Sequence, residues 1–233
     1  MKKGSKASKI FGFILLIAFV IFYLVTAVID LISLSGAKEV DSYDFEITES
    51  GVSVEGNFYY LTNGPVLSVT HKLSYIIPMG TEYYFALAND SGTKCIFVRA
   101  SEDFAEEFYK ILDENEKNGS YIGAPIKGKV REMRPKVKNE LIGYAQDLAE
   151  EGCQVISNGT TLLYIDATTQ FQSILRIVAA LVFVAVAVMI IVAIRVRSNM
   201  QLSEAPKPIA IAVLVLVLAG VGLMMYTLSF IEL

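Results

Sequence analysis

The 233-residue chain has no tryptophan, one histidine, two cysteines and six prolines. The lone His71 leaves little room for histidine-based catalysis, and no GxSxG-type nucleophile motif lies near it. Two cysteines exclude a disulfide-dense scaffold. Six prolines and 16 glycines exclude collagen-like and low-complexity architectures. Charge is also scarce: 19% of residues are charged, against about 25% in a typical soluble domain. Apolar side chains take up the difference, at 54% of the chain with a mean hydropathy of +0.50.

Three runs hold most of this apolar excess. Ile10 to Ile29 is 20 residues without a charge, Ile177 to Ile194 is 18, and Ile209 to Ile231 is 23. A hydrocarbon core of about 30 Å needs roughly 20 helical residues, so each run predicts a transmembrane helix. The first apolar run exceeds the ~7–15 residues of a signal-peptide core, which favours an uncleaved signal anchor over cleavage near Ser35-Gly36-Ala37. Lys2, Lys3, Lys6 and Lys9 precede it, and Arg195, Arg197 and Lys207 lie between the second and third runs. Cations in short flanks stay on the cytoplasmic side. The expected layout is a cytoplasmic tail over 1–9, a first span over 10–30, an extracytoplasmic domain over 36–170, a second span over 174–195, a cytoplasmic loop over 196–208 and a third span over 209–231. The C-terminus is then extracytoplasmic, and the chain is a multi-pass protein of the cell membrane.

The segment 36–170 carries 12 Lys and Arg against 21 Asp and Glu, a net charge of −9, which argues against nucleic acid as a partner. Tyr43 to Thr48 and Val52 to Glu55 alternate large and polar side chains, as half-buried strands do. Leu73 to Pro78 and Glu82 to Leu87 read as a hairpin turning over Met79-Gly80-Thr81. Lys94 to Arg99, Ile126 to Val130 and Thr161 to Ile165 are further strands, with turn signals at Asn89-Asp90-Ser91-Gly92 and Ser157-Asn158-Gly159. Ser101 caps a predicted helix whose Phe104, Phe108, Ile111 and Leu112 form one apolar stripe. Pro135 opens another, with Val137, Leu141, Tyr144, Ala145 and Leu148 on one face. The fold class expected is an α+β extracytoplasmic domain plus three transmembrane α-helices, one N-terminal and two C-terminal, the domain being a strongly bent sheet or partly open barrel.

The candidate site is a cluster of six cations, Lys127, Lys129, Arg131, Arg134, Lys136 and Lys138, set in an acidic domain. It suggests contact with anionic lipid head groups or an acidic wall polymer. The simpler reading pairs these cations with the acids of the first domain helix, Glu102 to Glu116. Cys95 and Cys153, 58 positions apart, are a possible disulfide. They form no CxxC pair with which His71 would complete a zinc site. Asn89-Asp90-Ser91, Asn118-Gly119-Ser120 and Asn158-Gly159-Thr160 match the glycosylation sequon but read as turns. Ala210, Ala212, Ala219, Gly220 and Gly222 offer a close-packing face for another membrane protein on the third span. No cofactor, metal site or catalytic motif is indicated.

The Lys-rich start, the signal anchor, the α+β domain and the terminal helical pair, with Tyr75-Ile76-Ile77-Pro78 and Tyr83-Tyr84-Phe85, resemble uncharacterised integral membrane proteins of Gram-positive bacteria. That resemblance implies bacterial membrane location and carries no functional residues over. The expected function is a non-catalytic binding or accessory subunit at the cell surface, with the lipid bilayer as its first partner. The alternative is a membrane-anchored hydrolase whose site forms no linear motif. A sensor is disfavoured because the short cytoplasmic parts leave no output domain.

Overall fold

Alternation along the strands sorts their apolar residues onto two faces, and the computed structural model fills both. It describes residues 6–62, 64–73, 77–119 and 123–199. Helix α1 (Lys6–Ser35) leads into strands β1 (Lys38–Glu39), β2 (Ser53–Tyr60), β3 (Leu67–Leu73), β4 (Ile77–Ala88) and β5 (Lys94–Ala100). Helix α2 (Glu102–Asn118), strand β6 (Ala124–Glu132) and helix α3 (Pro135–Glu150) follow. The chain continues through β7 (Gln154–Val155), β8 (Ser157–Asn158) and β9 (Thr161–Asp166) into α4 (Thr169–Asn199).

The sheet is mixed, in the order β1-β2-β6-β9-β5-β4-β3, with β5–β9 and β1–β2 parallel. It is bent enough for β2 to reach β4 as well, through Tyr59 opposite Ala88 and Tyr60 opposite Leu87. Five strands, β2, β6, β9, β5 and β4, thereby close a ring. Its inner face gathers Val54, Phe58, Phe85, Leu87, Ile96, Val98, Ile126, Val130, Leu163 and Ile165, sealed by Ala105 and Phe108 of α2. The rings of Phe85 and Phe108 meet edge-on at 4.9 Å, a favoured aromatic geometry. The outer face carries Tyr84, Ala86, Cys95, Phe97, Leu162 and Tyr164 under Val137, Leu141, Ala145 and Leu148 of α3. The α+β character and both helical stripes are those the periodicity predicts. Ser101 holds the cap position of α2 without a side-chain cap bond, and Gly119 ends that helix at φ +60°.

Two strand expectations are corrected. Met79-Gly80-Thr81 is not a turn: β4 runs straight through it, with Gly80 at φ +137° and a register shift opposite His71 and Lys72. Tyr43 to Thr48 forms no ladder, although Phe45 and Ile47 are buried and Glu46 and Thr48 exposed as alternation requires.

The membrane architecture is corrected as well. Among the described residues, no helix is long and apolar enough to cross a membrane. The three-transmembrane-helix fold class, the signal anchor, the multi-pass cell-membrane localisation and the extracytoplasmic placement of 36–170 are therefore not upheld. The boundaries show the physical reason. The helix bearing the first run does not stop at an interface after Asp30, but continues to Ser35. Asp30 is buried and bound to Lys129 at 2.7 Å, and the Ser33 hydroxyl meets that of Ser53 at 2.7 Å. The helix bearing the second run starts at Thr169 and includes Ser173 and Arg176, both buried. The third span over 209–231, with its small-residue face, lies outside the described residues, as do residues 1–5, the loop from 200 to 208 and the side chain of His71.

The described residues divide into two compact units, one holding 6–29 and 171–199, the other lying within 30–170. Tyr23, Ala27, Ala179 and Ala180 are buried residues of the first. The second contains the sheet, α2 and α3.

Candidate functional site

Charged residues on the outer face of a sheet need partners when a helix covers that face. Arg99, two positions beyond Phe97, takes the outer face of β5, as Asp166 does on β9 beyond Tyr164. The registers set Tyr84 beside Arg99, Arg99 beside Asp166, and Asp166 beside Lys129 of β6. Arg99, Glu82 and Asp166 are all buried to about 99–100%. Arg99 binds Glu82 at 3.2 Å and Asp166 at 3.6 Å, and donates to the Tyr164 hydroxyl at 3.4 Å. Arg131 binds the second Asp166 oxygen at 3.0 Å, while Arg134, at the entry to α3, reaches Glu82 at 3.4 Å. The Thr168 amide and hydroxyl both donate to Asp166, at 3.1 and 2.6 Å.

This arrangement assigns most of the predicted cation cluster. Lys127 pairs with Glu55 at the surface, Lys129 with Asp30, Arg131 with Asp166 and Asp30, and Arg134 with Glu82. Lys138 donates to the Thr160 carbonyl, and Lys136 is exposed. The partners are carboxylates of strands β2, β4 and β9 and of the end of α1, not the acids of α2. Among those, Asp113 holds Lys117 within the helix at 3.9 Å. Arg99, Glu82 and Asp166 were missed from sequence. Their signal was a charge set inside or against an apolar strand, as in KCIFVRA and TLLYID.

Burial opposes a charge on Asp166, but the Arg99 and Arg131 guanidinium groups and the Thr168 hydrogen bonds outweigh it and hold the carboxyl below its usual range. A carboxyl depressed in the folded state contributes stability above its unfolded value, and that contribution is lost as pH falls through the folded value. Stability therefore declines on acidification below about pH 4. The Asp166→Asn variant starts less stable and has a flatter profile over the same range. Denaturation midpoints measured from pH 7 downward check this, and parallel profiles would contradict it.

A second feature is a groove of about 620 Å³ beside β1, lined by residues of 32–40 and 46–54. One wall is Glu46 to Glu49, which belongs to no strand and makes no backbone hydrogen bond to another described residue. Ile47 anchors that wall in the inner core, leaving Glu46, Thr48 and Glu49 exposed. The lining also includes Lys38, in β1 beside β2, and Val40, whose amide donates to the Glu55 carbonyl at 2.8 Å.

The two cysteines are adjacent, buried and unbridged. Among the described residues, no group of three or more His, Cys, Asp or Glu side chains is arranged to hold a metal ion. Comparisons with protein families, characterised proteins and solved structures find no match to this chain.

Proposed function

We propose that the unit 30–170 is a non-catalytic binding module that takes an extended, cationic peptide segment of a partner protein in the groove beside β1. The observation that carries this reading is the wall Glu46–Glu49: pinned by the buried Ile47, exposed at Glu46 and Thr48 on either side of it, and without backbone partners among the described residues. Such a wall offers amide and carbonyl groups to an incoming strand, as in recognition by strand addition. The exposed Glu46 and Glu49, in a segment 36–170 of net charge −9, favour lysine or arginine on the guest.

The hydrolase alternative draws less support, because the buried carboxylates Glu82 and Asp166 face guanidinium groups and do not line the groove. Contact with an anionic surface also draws less, since four of its six cations are paired with carboxylates.

Fluorescence anisotropy of the full chain with labelled alternating Val-Lys and Val-Glu octapeptides tests the proposal. The Val-Lys peptide binds more tightly, and the double variant Glu46→Arg/Glu49→Arg weakens it by about five- to tenfold, as two exposed ion pairs warrant. Equal binding of both peptides, or indifference to the charge reversal, overturns it.

A further inference from the structure

Cys95 lies on the outer face of β5 and Cys153 just after the end of α3. Their side chains are 1% and 5% exposed. The Cys95 thiol donates to the Cys153 backbone carbonyl, sulfur and oxygen 3.8 Å apart. The backbone on either side is fixed. The Cys153 amide donates to the Leu148 carbonyl at 2.9 Å, the Gln154 amide to Thr93 at 2.7 Å, and the Ile156 amide to Cys95 at 2.8 Å. Burial pushes both thiols up from their usual range, so each is a poor nucleophile until the chain around it opens. The neighbouring Glu150, Glu151 and Gly152 are exposed, and Gly152 has φ +92°. Exposed chain therefore adjoins the buried thiols at the end of α3.

We propose that Cys95 and Cys153 are a reversible dithiol–disulfide pair that latches the end of α3 to β5, oxidised by exchange with a small-molecule disulfide of the glutathione class. In the first step the Cys153 thiolate attacks the external disulfide, forming a mixed disulfide and releasing one small thiol. The Cys95 thiolate then attacks the Cys153 sulfur and expels the second small thiol. The two cysteines lose two electrons and two protons, and the external disulfide is reduced to two thiols. An external dithiol reverses both steps. The closed loop runs from Cys95 to Cys153 and contains α2, β6 and α3.

The test incubates the full chain with oxidised glutathione, then measures intact mass, thiol labelling after denaturation and melting temperature. The expected product is a monomer lighter by two hydrogens, closed to thiol labelling until reduced, and melting about 5–10 °C higher. The Cys95→Ala and Cys153→Ala variants each stop at a glutathione adduct or remain free, with no rise in melting. Both thiols still labelled after prolonged oxidation, a chain carrying two glutathiones, or a bridge between two chains would each overturn the proposal. So would a bridge that appears only in denaturant. Measuring the wild-type chain itself keeps the outcome readable even if an alanine variant folds poorly.

Discussion

Replacing Arg99 with methionine should cost about 3–5 kcal/mol of folding stability, because two buried carboxylates lose the guanidinium between them. Arg99 touches Glu82 at 3.2 Å and Asp166 at 3.6 Å. Burial works against its charge, yet Asp166, Tyr164 and Glu82 together hold it firmly protonated. Methionine is close in length but brings no charge, so Glu82 is left to Arg134 at 3.4 Å and Asp166 to Arg131 at 3.0 Å. Natural domains are stable by only about 5–15 kcal/mol, so the single variant should melt roughly 10 °C or more lower. The triple variant Arg99→Met/Glu82→Gln/Asp166→Leu removes the three buried charges and should recover part of the loss, since Arg131 and Arg134, which lose these carboxylates, are 27% and 30% exposed and keep access to water. Thermal and denaturant unfolding of both proteins decide it. A single variant within about 1 kcal/mol of wild type would mean that water or rearrangement relieves the stranded carboxylates.

The second large effect is expected at Gly128, in the middle of β6. A Cβ there would lie 2.6 Å from the Asp166 carbonyl oxygen, 2.8 Å from its carbon and 2.7 Å from Ile165 Cγ2. Two of these are backbone atoms, so a side-chain rotation cannot relieve the clash. Strand β6 would have to draw away from β9 where Lys129 stands opposite Asp166. Gly128→Ala should therefore cost about 3 kcal/mol, the upper range of overpacking effects, and expose part of the buried ionic row. Gly143→Ala is the matched control. It lies in α3 with nothing within 4 Å of the added Cβ, and should stabilise by about 0.5–1 kcal/mol through helix propensity. Comparable losses in both variants would show that the tight approach at Gly128 is not what makes alanine costly there.

What was legible in the sequence is what short-range periodicity encodes. The stripe Phe104, Phe108, Ile111, Leu112 and the stripe Val137, Leu141, Ala145, Leu148 are the buried faces of α2 and α3. Alternation at Phe45 and Ile47 named the buried residues correctly, but it reports which side chains point inward, not which backbone groups find a partner. That is why a strand was expected where an unpaired wall stands. At Met79-Gly80-Thr81 the glycine reads as a turn in the sequence, whereas its positive φ falls at a register shift inside a long strand.

The cation cluster was visible as composition, but its partners were not. Asp166 is 35 positions from Arg131, Glu82 is 52 from Arg134 and Asp30 is 99 from Lys129. Only the sheet register brings such distant residues together. The apolar runs are read from their length, their lack of charge and their flanking cations, none of which shows what the polar ends of those helices bind. Asp30 and Ser33 belong to the same helix as the first run, and each binds a residue of the sheet.

The chain enters its sheet-bearing unit at Asp30, clasped by Lys129, and leaves it at Thr169, whose hydroxyl is tied to the Asp166 carbonyl at 2.8 Å. Lys129 and Asp166 are direct cross-strand neighbours, so arrival and departure share one anchorage. A change that shifts the β6–β9 register at this pair therefore disturbs the arrival and the departure of the chain together.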